Sequence, residues 1–244
     1  MVGWLVPEGE GWRVELEPTR VSGLPLLRAR VPDPPGLRRR GLERRIDRAS
    51  RLLARSGCRR VLTPAGFAGW ERLTRWGLIP VAAEGLAQAL AARIALAQLK
   101  RRGIRPEWAT VGLYAHRVNR ACFEAARVLC PCVRQLVVDA PDGGEDLARY
   151  LREEFGAAVL EGRGGRRPDV CLCFTPGEEV PQGGLVLWGT RPDLGGLVPV
   201  PGGTELPGQV DPMALTALLW EEGRVALEEV VLTGGENLSP GNAP

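Results

Sequence analysis

The stretch 109–160 constrains the fold most, because short apolar runs alternate there with segments of helical pattern. The apolar runs cover 109–114, 133–138 and 157–160, and the helical segments cover 122–129 and 144–155. Strands that alternate with helices of about 10–15 residues are typical of βαβ units, whose strands pair in parallel. The sequence therefore predicts an α/β fold with a parallel sheet in this region.

The flanking sequence predicts a second, smaller α/β subdomain in front of that sheet. Short strands are expected within 2–31, and further helices at 37–55, at 83–102 and from Asp211 to about Glu222. Apolar runs at 169–174 and 184–188 are expected to extend the parallel sheet. We expect an N-terminal α/β subdomain at 1–104, a sheet domain at 105–224 and a largely disordered C-terminal tail at 225–244.

The charge of the chain is concentrated in one region. Residues 28–60 hold twelve Arg and three acidic residues, a net charge of +9, whereas the rest of the chain carries −6 of the overall +3. Most of these arginines fall in the predicted helix 37–55, off its apolar stripe. One interpretation is a solvated helix face in a protein biased toward Arg, which we favour; the alternative is a surface that binds nucleic acid.

No apolar run approaches the roughly 18 residues of a membrane span, and the N-terminus shows no secretory signal pattern, so we expect a cytoplasmic protein without a membrane partner. Six cysteines are expected to be reduced and buried in that compartment. Cys130 and Cys132, and likewise Cys171 and Cys173, are separated by one residue, which is not the spacing of zinc hairpins, so no metal site is expected.

The order of these elements resembles a known family. The long helix at 83–102, the strand around Val111, the strand that ends at Asp139 and the later run from Pro168 to Cys173 together resemble a Rossmann-type dinucleotide-binding domain. The layout is similar to that of NAD(P)-dependent dehydrogenases of the shikimate dehydrogenase and glutamyl-tRNA reductase type, over about 83–190. The resemblance implies a cofactor crevice after the first strand of the sheet, with Asp139 placed to bind a ribose hydroxyl.

The loop after that first strand departs from the family pattern. The glycine fingerprint lets the backbone turn tightly against a pyrophosphate, but Ala115, Arg117 and Arg120 stand where its glycines are expected. The missing glycines disfavour NAD(P), and the cofactor is left unknown. The candidate crevice residues are Tyr114, Ala115, His116, Arg117, Asn119 and Asp139.

Three functional hypotheses follow from these observations. The first is a dehydrogenase-like protein without a standard dinucleotide loop that binds a small molecule or a protein partner and catalyses nothing. The second is an NAD(P)-dependent oxidoreductase with a variant phosphate loop, in which His116 and Arg117 face an anion. The third is nucleic-acid binding through the Arg-rich helix 37–55. The sequence names no catalytic residue and leaves open whether the protein is an enzyme.

Overall fold

The computed structural model describes residues 1–9, 11–36, 38–162, 167–176 and 180–234. The strands are β1 (Val2–Pro7), β2 (Glu15–Val21), β3 (Leu24–Val31), β4 (Arg60–Leu62), β5 (Ile79–Pro80), β6 (Thr110–Tyr114), β7 (Gln135–Asp139), β8 (Val159–Glu161), β9 (Val170–Cys173), β10 (Leu185–Val186), β11 (Leu197–Pro201) and β12 (Val230–Gly234). The helices are α1 (Arg39–Arg55), α2 (Trp70–Thr74), α3 (Glu84–Ala89), α4 (Ala91–Arg101), α5 (Arg120–Leu129), α6 (Gly144–Phe155) and α7 (Pro212–Glu221), with 3₁₀ turns at Pro106–Trp108 and Leu227–Glu229.

The chain forms two compact units of nearly equal length. The first comprises Met1–Ala82 and Pro199–Val231, and the second comprises Ala83–Val198 with the described residues from Leu232 onward. The sequence placed the boundary near residue 104 and gave 199–224 to the sheet domain, which differs from this division. The physical reason is packing, because α3 and α4 lie against α5 in the second unit.

The first unit is built on a five-stranded sheet in the order β2-β3-β1-β4-β5. β1 pairs in parallel with β3 and β4, and β2 returns antiparallel to β3 as a hairpin. α1 connects β3 to β4 and buries Ile46, Ala49 and Leu53 in the core of this unit. Apolar residues at this three- to four-residue spacing form one face of a helix, which explains why α1 lies flat on its sheet.

The second unit contains a five-stranded, fully parallel sheet in the order β10-β9-β6-β7-β8. Counted along the chain from β6, this is the order 3-2-1-4-5 read from the other edge, which is the strand order of the Rossmann fold. The strands β6, β7 and β9 are mostly buried, and Leu113 and Leu172 are fully so. Strands buried on both faces read as continuous apolar runs, which is why the sequence revealed them.

The helices of the second unit all lie on one face of its sheet. α3 packs against α4 and α5, α4 against α5 and β9, and α6 against α5, β7 and β8. The connection from β8 to β9, residues 162–169, is shorter than the ten to twelve residues that a crossover with a helix requires. Among the described residues of the second unit, no helix therefore lies over the opposite face of the sheet.

Three expectations from the sequence need correction. The helix expected at 83–102 is two helices, because Leu90 leaves the helical conformation at φ −89° and ψ 3° between α3 and α4. The Arg-rich helix begins at Arg39, and Leu37 lies outside the described residues. The first half of the expected disordered tail forms a 3₁₀ turn and β12, whose Val230 is fully buried; residues 235–244 lie outside the described part.

Candidate functional site

The six residues that the sequence singled out lie together at the carboxyl edge of the second sheet. β6 ends at Tyr114 and β7 ends at Asp139, and these two residues are direct partners in the parallel register. The loop 115–119 then leads into α5. In open α/β sheets, ligands bind outside the carboxyl ends of the strands where the strand order reverses. That reversal falls here between β6 and β9.

The aromatic ring of Tyr114 points back along β6 and covers Gly112. A Cβ atom at Gly112 would lie 2.6 Å from Cε2 of Tyr114 and 3.0 Å from Cγ of Pro168. Burial, together with a hydrogen bond to the thiol of Cys171 and the nearby charge of Asp139, raises the pKa of Tyr114 to about 12. The phenol is therefore neutral at physiological pH. Its ring covers Gly112 on the sheet face that lacks helices.

The loop after β6 is joined to the loop after β7 by main-chain hydrogen bonds. The amide of Ala115 donates to the carbonyl of Asp139 at 3.1 Å, and the amide of Asp142 donates to the carbonyl of His116 at 3.3 Å. The amide of Val118 donates in turn to the carbonyl of Asp142 at 2.9 Å. The parallel pairing of β6 and β7 thus continues past the ends of both strands.

The same loop is joined to the chain that follows β9. The amide of Phe174 donates to the carbonyl of Tyr114 at 2.9 Å, and the amide of His116 donates to Oγ1 of Thr175 at 2.7 Å. These two bonds bridge the position where the strand order reverses. The sequence analysis missed Thr175 and Asp142 as members of this cluster. Thr175 is the second residue after the end of β9, and Asp142 lies in a Pro-Asp-Gly turn; these positions were the available signal.

The N-terminus of α5 is closed by its own cap. The side chain of Asn119 accepts a hydrogen bond from the amide of Cys122 at 2.8 Å, as an N-cap residue does. Cys122 is fully buried and its pKa is raised to about 12 by desolvation. A thiol held protonated in this way is a poor nucleophile or metal ligand, so the start of α5 offers no cysteine chemistry.

The residues of this loop do not fit a dinucleotide in the usual manner. A fingerprint loop presents its amides to the pyrophosphate and has glycines where the phosphates approach. Here the amides of Ala115, His116 and Val118 already donate within the protein, and Arg117 and Arg120 project side chains from positions where glycine is expected. His116 and Arg117 are exposed, and Arg117 forms an ion pair with Asp142 at 3.2 Å.

The cysteines do not form a metal centre among the described residues. No group of three His, Cys, Asp or Glu side chains there comes together as a ligand set, and all six thiols are free of disulfides. Cys171 and Cys173 lie on the sheet face that lacks helices, and burial raises the pKa of Cys171. Cys132 differs from the expectation of burial because its side chain is exposed.

A cavity of about 670 Å³ lies in the first unit on the β2–β3 hairpin. Its walls are mainly apolar, and the one charged lining side chain is Arg20. Ligand sites combine apolar walls with several polar groups that point to one place, which this lining does not supply. The lining residues are Met1, Pro18, Thr19, Arg20, Pro25, Leu26 and Leu27.

The chain has little similarity to known proteins at the level of sequence. No protein-family model matches the chain, and no curated protein matches it. Among solved structures, L-tryptophan dehydrogenase from Nostoc punctiforme is similar at 16% identity and a TM-score of 0.31, over 70% of this chain and 55% of that chain. The chain thus spans about half the length of that protein. A likeness at this level carries no argument about activity, and the assignment of a Rossmann-like α/β fold rests on the strand order described above.

None of the described helices is both long enough and apolar enough to span a membrane.

Proposed function

We propose that this protein is a non-catalytic binding protein, built on a Rossmann-like sheet whose phosphate loop is closed by its own hydrogen bonds. The observation that carries the proposal is that three amides of the loop 115–118 already donate hydrogen bonds within the protein. The amides of Ala115, His116 and Val118 donate to Asp139, Thr175 and Asp142 respectively. A pyrophosphate could bind these amides only after displacing Asp139, Thr175 and Asp142 as their acceptors.

The proposed ligand is a small molecule or a protein partner rather than a standard dinucleotide. The runner-up is an NAD(P)-dependent oxidoreductase with a variant loop. Asp139 at the end of the second strand of the order favours it, because a carboxylate at that position binds a ribose hydroxyl in Rossmann enzymes. The exposed imidazole of His116 would then lie beside the anion.

Thermal unfolding with about 1 mM NAD, NADH, NADP or NADPH separates the two proposals. A ligand at about 100 times its dissociation constant adds about 2.7 kcal/mol of stability, which raises the melting temperature of a chain this long by several degrees. We expect no shift with any of the four. A shift that Asp139→Ala abolishes and the control Asp146→Asn on α6 retains would contradict the binding-protein proposal and make the protein a dehydrogenase.

Amide hydrogen exchange tests the closed loop directly. We expect the amides of Ala115, His116 and Val118 to exchange slowly although the loop lies at the surface, because each is hydrogen-bonded. Thr175→Val removes the acceptor for His116 while keeping the shape of the side chain. It should therefore speed exchange at His116 and leave Val118, whose acceptor is a carbonyl, unchanged. Fast exchange at all three positions in the natural sequence would mean that the loop is open in solution.

The proposal also keeps the family and the compartment that the sequence suggested. We infer a distant relation to dehydrogenases of the shikimate dehydrogenase and glutamyl-tRNA reductase type, supported by the helix-then-sheet layout over 83–190. We place the protein in the cytoplasm, where free thiols such as the exposed Cys132 persist.

A further inference from the structure

The solvent side of α1 carries a row of arginines. Going along the helix, the spacing of these residues is 4, 4, 3 and 4, so on a helix of 3.6 residues per turn they fall within an arc of roughly 80°. At 1.5 Å per residue the row is about 22 Å long. All five side chains are exposed. We call this row the arginine stripe; its members are Arg40, Arg44, Arg48, Arg51 and Arg55.

The arginine stripe points directly away from the core of the first unit. The buried residues of the same helix, Ile46, Ala49 and Leu53, occupy the opposite side. The helix therefore has no apolar face left for a lipid bilayer, because an interfacial helix inserts such a face among the acyl chains. What the stripe offers to a partner is charge.

The acidic residues of α1 do not neutralise the stripe. Glu43 is bound by Arg39 at 3.2 Å and by Arg72 at 2.7 Å, and Asp47 accepts a hydrogen bond from the indole of Trp76 at 3.0 Å. Within the described residues, no stripe arginine forms an ion pair. Five guanidinium groups in one row repel each other, and a phosphate-bearing partner would relieve that repulsion.

An exposed aromatic ring lies beside the stripe. Trp12, in the loop between β1 and β2, is 89% exposed, and its ring centroid is 5.9 Å from the guanidinium carbon of Arg45. The guanidinium of Arg45 donates a hydrogen bond to the carbonyl of Pro32 at 2.7 Å, which holds the Arg45 side chain beside the ring. Arg45 borders the stripe on one side, and Trp76, 38% exposed, contacts Asp47 on the other.

We propose that the arginine stripe and Trp12 form a binding surface for single-stranded nucleic acid. The stripe contacts successive phosphates, and Trp12 stacks on one unpaired base. Proteins that bind single strands combine a positive track for the backbone with aromatic platforms for bases. A duplex keeps its bases stacked inside and gives Trp12 nothing to stack on, so the single strand fits better. RNA and DNA share the chemistry that is used here.

Fluorescence anisotropy tests this surface with labelled oligonucleotides of about a dozen nucleotides, one of deoxythymidine and one of uridine, titrated with the full-length chain. For single strands the slope of log K against log salt is about −0.7 per phosphate neutralised, so five contacts predict a slope of roughly −3.5. The variant Arg44→Gln/Arg48→Gln/Arg51→Gln should reduce the magnitude of that slope by about 2. Equal binding of the two oligonucleotides assigns the surface to single strands in general, and a preference for one shows whether it favours DNA or RNA.

A control variant of equal charge separates the stripe from net charge. Arg20→Gln/Arg134→Gln/Arg224→Gln removes three exposed arginines that lie elsewhere, and it should keep the slope of the natural chain. Trp12→Ala should lower affinity about 5- to 160-fold without changing the slope, because it removes the ring on which a base stacks and removes no charge. Unchanged thermal unfolding shows that each variant is folded, as expected for exposed side chains.

Several outcomes overturn the proposal. No binding to either oligonucleotide does so, as does an equal loss of slope in the stripe and control variants, which would mean non-specific attraction. Binding of duplex as tight as single strand, with no effect of Trp12→Ala, would assign the stripe to a double-helical backbone. Stripe-dependent binding to vesicles containing phosphatidylserine, without oligonucleotide binding, would make it a membrane surface.

Discussion

The loop 115–119 and the outer face of α1 both present polar donor groups, but they differ in whether those groups already have partners within the protein. In the loop, the amides of Ala115, His116 and Val118 donate to protein acceptors, and Arg117 pairs with Asp142. On α1, the arginine stripe has no acidic partner among the described residues. The loop lies at the position where a Rossmann fold binds its cofactor, whereas α1 lies in the first unit.

This contrast teaches that fold position and binding capacity are separate properties. A site binds through donors and charges that the protein leaves unsatisfied, and function resides in such sites rather than in the fold that carries them. The second unit has the strand order of a dinucleotide-binding domain. The amide donors of its loop 115–119, however, bond to acceptors within the protein. The first unit keeps its surplus charge exposed to solvent.

The largest effect on stability is expected from Gly112→Ala, because Gly112 lies under the ring of Tyr114. The added Cβ would lie 2.6 Å from the ring of Tyr114 and 3.0 Å from Pro168, so the ring must move. Overpacking of this kind costs about 1–3 kcal/mol, which denaturant unfolding measures. Gly112→Ala combined with Tyr114→Leu should recover part of the loss. A fully stable single variant would mean that the ring of Tyr114 does not rest on Gly112.

The sequence predicts those parts of this region that depend on interactions between residues close together along the chain. The apolar run 109–114 and the helical spacing of Phe123, Ala126 and Cys130 depend on local pattern, and the predicted strand and helix are both present. The carboxyl edge was also foreseeable, because parallel strands end together. The bond from His116 to Thr175 was not, since it requires β9 to lie beside β6, and 59 residues separate the two partners.

The two-unit division and the break at Leu90 escaped the sequence for related reasons. The segment 199–231, which contains α7, belongs to the first unit. The buried Leu215, Leu218 and Leu219 of α7 form an apolar pattern that does not indicate which unit the helix packs in. Leu90 is neither Gly nor Pro, and its own amide and carbonyl still make helical hydrogen bonds to Leu86 and Ile94. The arginine stripe, by contrast, was visible as spacing, but Trp12 joins it only through the folded loop.

A smaller effect is expected from Asn119→Ala, which opens the N-terminus of α5 without touching the arginine stripe. Losing the bond from Cys122 to the Asn119 side chain should lower the unfolding free energy by about 1 kcal/mol. Asn119→Asp keeps an acceptor at the helix start and should be at least as stable as the natural chain. If the alanine variant gained affinity for inorganic phosphate, the cap would be what keeps anions out of the loop. Equal stability of Asn119→Ala and Asn119→Asp would show that the cap is not formed in solution.

An effect confined to alkaline pH is expected from Tyr114. Its folded pKa of about 12 exceeds its ordinary value of 10.0, so the fold favours the neutral phenol. This contribution to stability is complete below pH 10 and is lost as the pH rises from about 10 to 12. Because Tyr114 is half-buried, the loss is on the order of 1 kcal/mol. Unfolding free energies across this range should fall less steeply in Tyr114→Phe than in the natural chain, and Tyr150→Phe, which removes the other tyrosine, should fall as the natural chain does.

The smallest effect is expected from the ion pair of Arg117 with Asp142, although it is the most visible side-chain contact in the loop. The two side chains are 77% and 64% exposed, and surface pairs of this kind contribute about 0–1 kcal/mol because water screens them. A double-mutant cycle with Arg117→Ala and Asp142→Ala should therefore give a coupling free energy below about 0.5 kcal/mol. Both variants keep the main-chain bonds of His116 and Val118 to residue 142, so slow amide exchange at Val118 should persist in them. A coupling above about 1 kcal/mol would contradict this expectation and mean that the side chains of Arg117 and Asp142 help to hold the loop closed.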